Sequence, residues 1–305
     1  MKDDKPHLVL DWIFNVPNQT LICTIDDELS YSAIEGGEKG INKHYKGETV
    51  FEMQEVIRET IDMTESEMVR LRGLRALFFG GLTLGGLRPL VPYLVNKEIQ
   101  LTDLLRDVIS NGSNHPVLSK AFEWLGDQIS SEWFKTVEEA DLFLRDPQNS
   151  SNFFSDDMFV KLNFAFTAYL LIHPEQFDAY YKQIAIEVCQ LLPNESKNII
   201  HEIVKLCQEQ SFLYRALHGD KSFNTSVKLS RPALEAFKEC GYLGSDYPTE
   251  SEVIDLSLDD VNARGILKDL ELKNFKPSIF DLTQIMQRYN RRIQLKPLED
   301  IYSVK

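Results

Sequence analysis

The segment Asp62 to Leu94, DMTESEMVRLRGLRALFFGGLTLGGLRPLVPYL, constrains the fold of this chain more than any other. Thr64 is followed three residues later by Glu67, the Thr-x-x-Glu signature of a capping box, in which two residues satisfy each other's unpaired backbone N–H groups at a helix start. Met68, Leu71, Leu74 and Phe78 then recur at three- and four-residue steps, which puts them on one helical stripe, while Glu67, Arg70 and Arg72 fall largely outside it. Such a stripe has to be buried. Gly80-Gly81 and Gly85-Gly86 come next, and a glycine inside a helix costs up to about 1 kcal/mol relative to alanine. The two pairs predict a break or bend over which a crossing helix approaches closely, with Pro89 and Pro92 at the start or a kink of the following helix.

The stretch Ala76 to Val95 is apolar enough to imitate a membrane span, and Gly81-x-x-x-Gly85 matches the small-residue pattern of membrane helix pairs. Arg88 argues against it, since a central arginine costs at least about 2.5 kcal/mol on insertion scales and the apolar window barely reaches spanning length. A buried, bent helix pair is expected, and no membrane contact. The N-terminus, MKDDKPHLVLDWIF, lacks a long apolar core with a small-residue cleavage site, so the expected localisation is cytoplasmic.

A hydrophobic content of 43% over 305 residues supports a sizeable core. Acidic residues outnumber basic ones 47 to 33, and the formal charge of −14 repels phosphate backbones, so no nucleic-acid partner is expected. The one basic cluster, Arg288, Arg291, Arg292 and Lys296, reads as a solvated helix face. Cys23, Cys189, Cys207 and Cys240 are scattered, without a Cys-x-x-Cys pair, and read as reduced core thiols. None of the six histidines is spaced from another as two ligands on one helix face would be, so no metal bound by this chain alone is expected. His115-Pro116 and His173-Pro174 mark helix boundaries. Gly36-Gly37-Glu38-Lys39-Gly40 is the nearest approach to a phosphate-cradling loop, but it neither follows a clear strand nor opens a helix. Asp26-Asp27-Glu28 reads as a solvated loop or helix cap.

Along the chain, Leu8 to Phe14 suits a buried strand closed by the turn Asn15-Val16-Pro17-Asn18, and Gln19 to about Val50 reads as a long loop. Helical periodicity predicts helices over Phe51–Ile61, Leu101–Ile109, Val117–Ile129, Val137–Leu144, Phe159–Ile172, Phe177–Leu191 and Lys197–Gln210. Beyond Leu217, Thr225 to Leu229 alternates like a short strand, Ser230 and Pro232 mark a helix start, and Thr249 to Glu252 forms a second capping box ahead of a short helix. The expected fold is mainly α: residues 1–50 a strand and long loop, 51–217 an antiparallel or orthogonal helical domain, and 218–305 a mixed C-terminal appendage.

This order of elements resembles the C-terminal region of cobalamin-binding radical S-adenosylmethionine enzymes. The similarity lies in the turn Asn15-Val16-Pro17-Asn18, the junction Glu59-Thr60-Ile61-Asp62-Met63-Thr64, the helix opening Met68-Val69-Arg70-Leu71-Arg72, the helix pair with Leu90 to Val95, the run Ile99 to Leu105, and the aromatic helices from Phe159 to Tyr181. It spans roughly Leu8 to Leu191. The family's Cys-x-x-x-Cys-x-x-Cys loop, cobalamin domain and most of its barrel have no counterpart here. The resemblance therefore implies a helical C-terminal part or accessory subunit that is not catalytic on its own. Its iron-sulfur cluster, S-adenosylmethionine and cobalamin would be held by a catalytic partner or an upstream region. If Leu8 to Phe14 corresponds to the last barrel strand, Asn15, Asn18 and Gln19 would face the substrate.

Two alternatives rest on the residues themselves. One is a free-standing helical protein-protein interaction module, a homo-oligomer among its forms, which needs only the amphipathic stripes. The other is an independent enzyme with a site around the Gly36 loop.

Overall fold

The computed structural model of the chain describes residues 29–31, 44–45, 48–49, 53–55, 62–131, 133–134, 136, 138–139, 142, 162–248 and 252–297. These residues are mainly α, as the periodicity predicts, with small antiparallel sheets. Contacts gather the chain into two compact units, residues 1–70 with 127–159, and residues 71–126 with 160–305. Residues 218–305 thus share a unit with the helices of 160–217.

In the first unit, strands β1 (Leu29–Tyr31), β2 (His44–Tyr45), β3 (Glu48–Thr49) and β4 (Met53–Glu55) lie in the stretch expected to hold a long loop and then a helix. β1 is antiparallel to β4, with Ser30 opposite Gln54, and on its other edge to β5 (Trp133–Phe134), with Ser30 opposite Trp133. β2 and β3 form a separate antiparallel pair. Strands of two or three residues are too short to show a period of two, and the pairing of β1 with β4 and β5 is decided by partners distant in sequence.

Helix α1 (Glu65–Phe78) begins with the expected capping box. The Thr64 N–H donates to Glu67 Oε2 at 2.8 Å, and the Glu67 N–H donates to Thr64 Oγ1 at 3.4 Å. Helices α2 (Leu90–Asn96), α3 (Leu101–Gly112) and α4 (Ser119–Ser131) follow. Two of these boundaries match the sequence reading closely, since Pro89 is the N-cap of α2 and α3 ends at the anticipated Asn111-Gly112.

The core of the second unit is built around α6 (Pro174–Leu191), which packs against α3, α5 (Leu162–Ile172) and α7 (Lys197–Glu209). Of the stripe Phe177, Tyr181, Ile184, Val188 and Leu191 read from the sequence, the first four are buried and Leu191 is half-buried. Phe177 stacks on Tyr214 of α8 (Phe212–Leu217), with ring centroids 3.8 Å apart and planes 10° apart. Proline at the first turn of α6 is tolerated because that N–H has no helical partner in any case.

Beyond α8, β6 (Asn224–Lys228) realises the expected short strand. Helix α9 (Arg231–Glu239) starts at Ser230, whose Oγ accepts from the Ala233 N–H at 3.4 Å. The same serine donates its N–H and hydroxyl to Glu202 Oε2 on α7, at 2.8 and 2.7 Å. Thr249, Glu250 and Ser251 of the second expected capping box lie outside the described residues, and the short helix expected to follow is replaced by a strand, because β7 (Val253–Ser257) pairs with β6 along its whole length, from Asn224 opposite Ser257 to Lys228 opposite Val253. Ile254 and Leu256 are buried and Asp255 is exposed, an alternation that suits a strand with one face on a core. β8 (Lys296–Pro297) pairs with the other edge of β7.

A helix follows only after β7, starting at Asp259, whose carboxylate accepts from the Asn262 N–H at 3.0 Å. It is α10 (Asp260–Leu272), packed on α11 (Ile279–Tyr289), and Gly265 lies in its interior.

Candidate functional site

The paired glycines after α1 form a π-helical turn, Phe79–Thr83. The Leu84 N–H reaches Phe79 O at 3.1 Å, five residues back; the Gly86 and Leu87 N–H groups reach Gly80 O and Gly81 O, six residues back, at 3.1 and 3.0 Å. The spiral therefore widens before it closes, a form frequent at functional sites. Gly85, with φ +77°, occupies the left-handed conformation that ends the turn. Gly80 is needed for a different reason. A Cβ there would lie 2.8 Å from Thr167 Oγ1 on α5, which identifies α5 as the helix that crosses closely over the glycines.

A cavity of about 40 Å³ lies beneath this turn. Its wall is mostly apolar, with Leu84 and Phe166 among its residues, and carries the polar side chains of Thr167, Tyr181, Ser211 and Gln294. Tyr181 on α6 donates its hydroxyl to Gly86 O at 3.1 Å, and Gln210 at the end of α7 donates Nε2 to Gly85 O at 2.9 Å. Gly86 O is thereby satisfied by a side chain from a distant helix, and Gly85 O, which also accepts from the Arg88 N–H at 3.1 Å, gains a second donor. Ser211 and Gln294 form an antiparallel bridge, and the Leu295 N–H donates to Gln210 O at 2.8 Å.

Among the described residues, no charged side chain lines the site. Burial pushes the Tyr180 and Tyr181 phenols above their ordinary range, so both stay protonated. Gln210 is fully buried and Gln294 is 6% exposed, and the side-chain Oε1 of each has no hydrogen-bond partner among the described residues. Orphaned acceptors of this kind are uncommon in native interiors and mark a place where another donor fits.

Other polar clusters are structural. Lys97 Nζ lies 2.6 Å from Glu195 Oε1, and the Tyr93 hydroxyl donates to Glu195 Oε2 at 3.2 Å. The lysine holds the Glu195 carboxyl below the usual carboxylate range. Glu187, buried on α6, accepts from Asn111 Nδ2 at 2.9 Å and from Gln183 Nε2. Arg288 of the basic cluster pairs with Asp269 on α10 at 2.7 Å.

Asn15, Asn18 and Gln19 lie outside the described residues, as do the Gly36–Gly40 loop, Asp26–Glu28 and Cys23. His115 Nδ1 accepts from the Val117 and Leu118 N–H groups at 3.2 Å each, His218 Nε2 lies 3.0 Å from Leu171 O, and His201 Nδ1 lies 2.6 Å from Lys197 O. Cys189, Cys207 and Cys240 are free thiols, and burial raises the pKa of Cys207. Among the described residues no group of three or more His, Cys, Asp or Glu side chains could hold a metal ion, and no helix is long and apolar enough to cross a membrane.

Sequence reasoning passed over Thr167, Gln210 and Gln294. A single amide or hydroxyl residue carries no periodic signal, and these three come from elements far apart in the chain. Tyr181 was legible only as a member of an apolar stripe.

No protein-family model, no curated protein and no solved structure matches this chain. Its class is that of a mainly α protein with small antiparallel sheets, defined by its own helices and by the glycine turn at its core.

Proposed function

We propose that this chain is a helical module that works by binding a partner protein and is not catalytic on its own. The observation that carries this reading is the outward face of α10. Val261 and Leu272, 77% and 71% exposed, stand at the two ends of a stripe whose middle is Arg264 and Lys268. The steps of three, four and four residues place all four side chains on one helical face. Arg264 pairs with Asp260 at 2.9 Å, whereas Lys268 has no ion-pair partner among the described residues. On a chain of net charge −14, a basic stripe with apolar ends suits an acidic segment that carries apolar residues at helical spacing.

The resemblance of the Thr64–Leu105 order to cobalamin-binding radical S-adenosylmethionine enzymes supports a cluster-bearing catalytic chain as that partner. Such a chain would hold the iron-sulfur cluster, S-adenosylmethionine and cobalamin. Mixing this protein with the product of a neighbouring gene that carries a Cys-x-x-x-Cys-x-x-Cys motif tests the reading by co-elution. The expected result is a complex weakened at least tenfold by Lys268→Glu and Leu272→Asp. Self-association of the chain alone through α10, or a complex indifferent to both substitutions, would sink it.

A further inference from the structure

The glycine turn and its cavity have a role apart from the α10 surface. We propose that the cavity beneath the π-helical turn is a built hydration site, holding two or three water molecules against Gln294 Oε1. Volume comes first. A water molecule needs roughly 10–15 Å³ of space measured in this way, and the cavity offers about 40 Å³. A substrate-sized ligand needs several times more.

Polarity decides between water and an apolar occupant. Cavities that stay dry are lined by apolar groups alone. This one includes Gln294, 6% exposed, with an unpartnered carboxamide oxygen, together with the hydroxyls of Thr167 and Tyr181. The Tyr181 hydroxyl gives its proton to Gly86 O and keeps acceptor capacity, and the Thr167 hydroxyl both donates and accepts. Water can therefore find the two to four partners that a buried molecule requires. A cation fits poorly, because among the described residues no carboxylate lines the space.

The wall is also rigid where it needs to be. Gly86 is held by its own N–H to Gly80 O and by Tyr181, and a Cβ at Gly86 would lie 3.1 Å from Gly80 O. Gln294 is fixed by its bridge to Ser211. The polar edge is thus positioned by backbone pairing from both ends of the unit's sequence.

The test is an atomic-resolution crystal structure of the full chain, native and xenon-pressurised, with Gln294→Met as the comparison. The assignment expects two or three ordered waters, one of them about 2.7–3.2 Å from Gln294 Oε1, and no xenon in the native protein. It also expects xenon in place of water in Gln294→Met. Xenon in the native cavity would overturn it, as would a cavity without solvent density or waters that leave Gln294 Oε1 unpartnered. If Gln294→Met does not fold, the native protein still decides, through water-to-methyl nuclear Overhauser effects at Leu84 and Leu87: long-lived signals are expected, and their absence counts against hydration.

Discussion

Gly265 on α10 lies directly beneath Tyr289 of α11: a Cβ added at Gly265 would come within 2.5 Å of the tyrosine hydroxyl and 3.1 Å of its ring. The Tyr289 hydroxyl in turn donates to Asp269 Oδ2 at 3.2 Å, one turn further along α10. The glycine is what lets the two helices approach, and the tyrosine closes the contact.

Gly265→Ala should destabilise the protein by up to about 2 kcal/mol. Alanine gains about 1 kcal/mol in helix propensity, but overpacking against the tyrosine costs about 1–3 kcal/mol. Tyr289→Phe removes the nearest atom, so the double variant should recover part of the loss in urea denaturation. A Gly265→Ala protein more stable than the native one would contradict this packing.

The glycine turn offers a sharper contrast. Gly85→Ala places a side chain at φ +77° and should cost about 1–2 kcal/mol, while Gly85→Asn, which tolerates that conformation, should cost less. Gly86→Ala meets the Gly80 carbonyl oxygen at 3.1 Å, and backbone yields less readily than a side chain, so about 1–3 kcal/mol is expected. Thermal denaturation that ranks Gly85→Asn below Gly85→Ala would speak against the left-handed turn.

Glu195 supplies a pH dependence with a definite sign. Lys97 lowers its folded pKa below the ordinary 4.5, so the pair's contribution is complete above that value and disappears as pH falls through the folded pKa. The pair is partly exposed, which limits the contribution to about 0.5–1 kcal/mol. Unfolding of the native protein and of Glu195→Gln should differ by that amount at pH 6 and converge toward pH 3. A difference that is constant with pH would show that the ion pair contributes nothing.

Arg215 and Asp220 should respond asymmetrically. Arg215 is 9% exposed and gives Nε to Asp220 Oδ2 at 3.0 Å, whereas the aspartate is about half exposed. Asp220→Ala leaves a buried guanidinium without its carboxylate and should cost about 2–3 kcal/mol, below the full range for a buried pair because of the aspartate's exposure. Arg215→Met keeps the apolar packing and should cost about 1 kcal/mol. Equal losses in guanidinium chloride titrations would refute the asymmetry.

Helices such as α1 and α6 could be read from the chain because they carry their signal locally. Thr64 and Glu67 are three residues apart, and the α6 stripe from Phe177 to Val188 lies on a single element. Features that depend on partners distant in sequence could not be read that way. Val253–Ser257 lies behind what looks like a helix cap, and only the β6 ladder makes it a strand. The glycine pairs announce a bend, yet the donors that meet Gly86 O and Gly85 O after the turn, Tyr181 and Gln210, come from positions about a hundred residues away. The candidate cavity shares this character, since Thr167, Ser211 and Gln294 have in common only a place in the fold.

The bridge between Ser211 and Gln294 carries a further consequence for biosynthesis. A chain leaving the ribosome exposes α1 and the glycine turn long before residue 294 is made, so the turn's polar wall cannot be completed as it emerges. Local helices can form early, but a contact of such long sequence separation has to wait for the late residues. During that interval the glycine turn and its apolar lining are open to whatever else is nearby. Translation speed across the last third of the message should therefore affect the yield of native protein more than translation speed across the helices that the message encodes first.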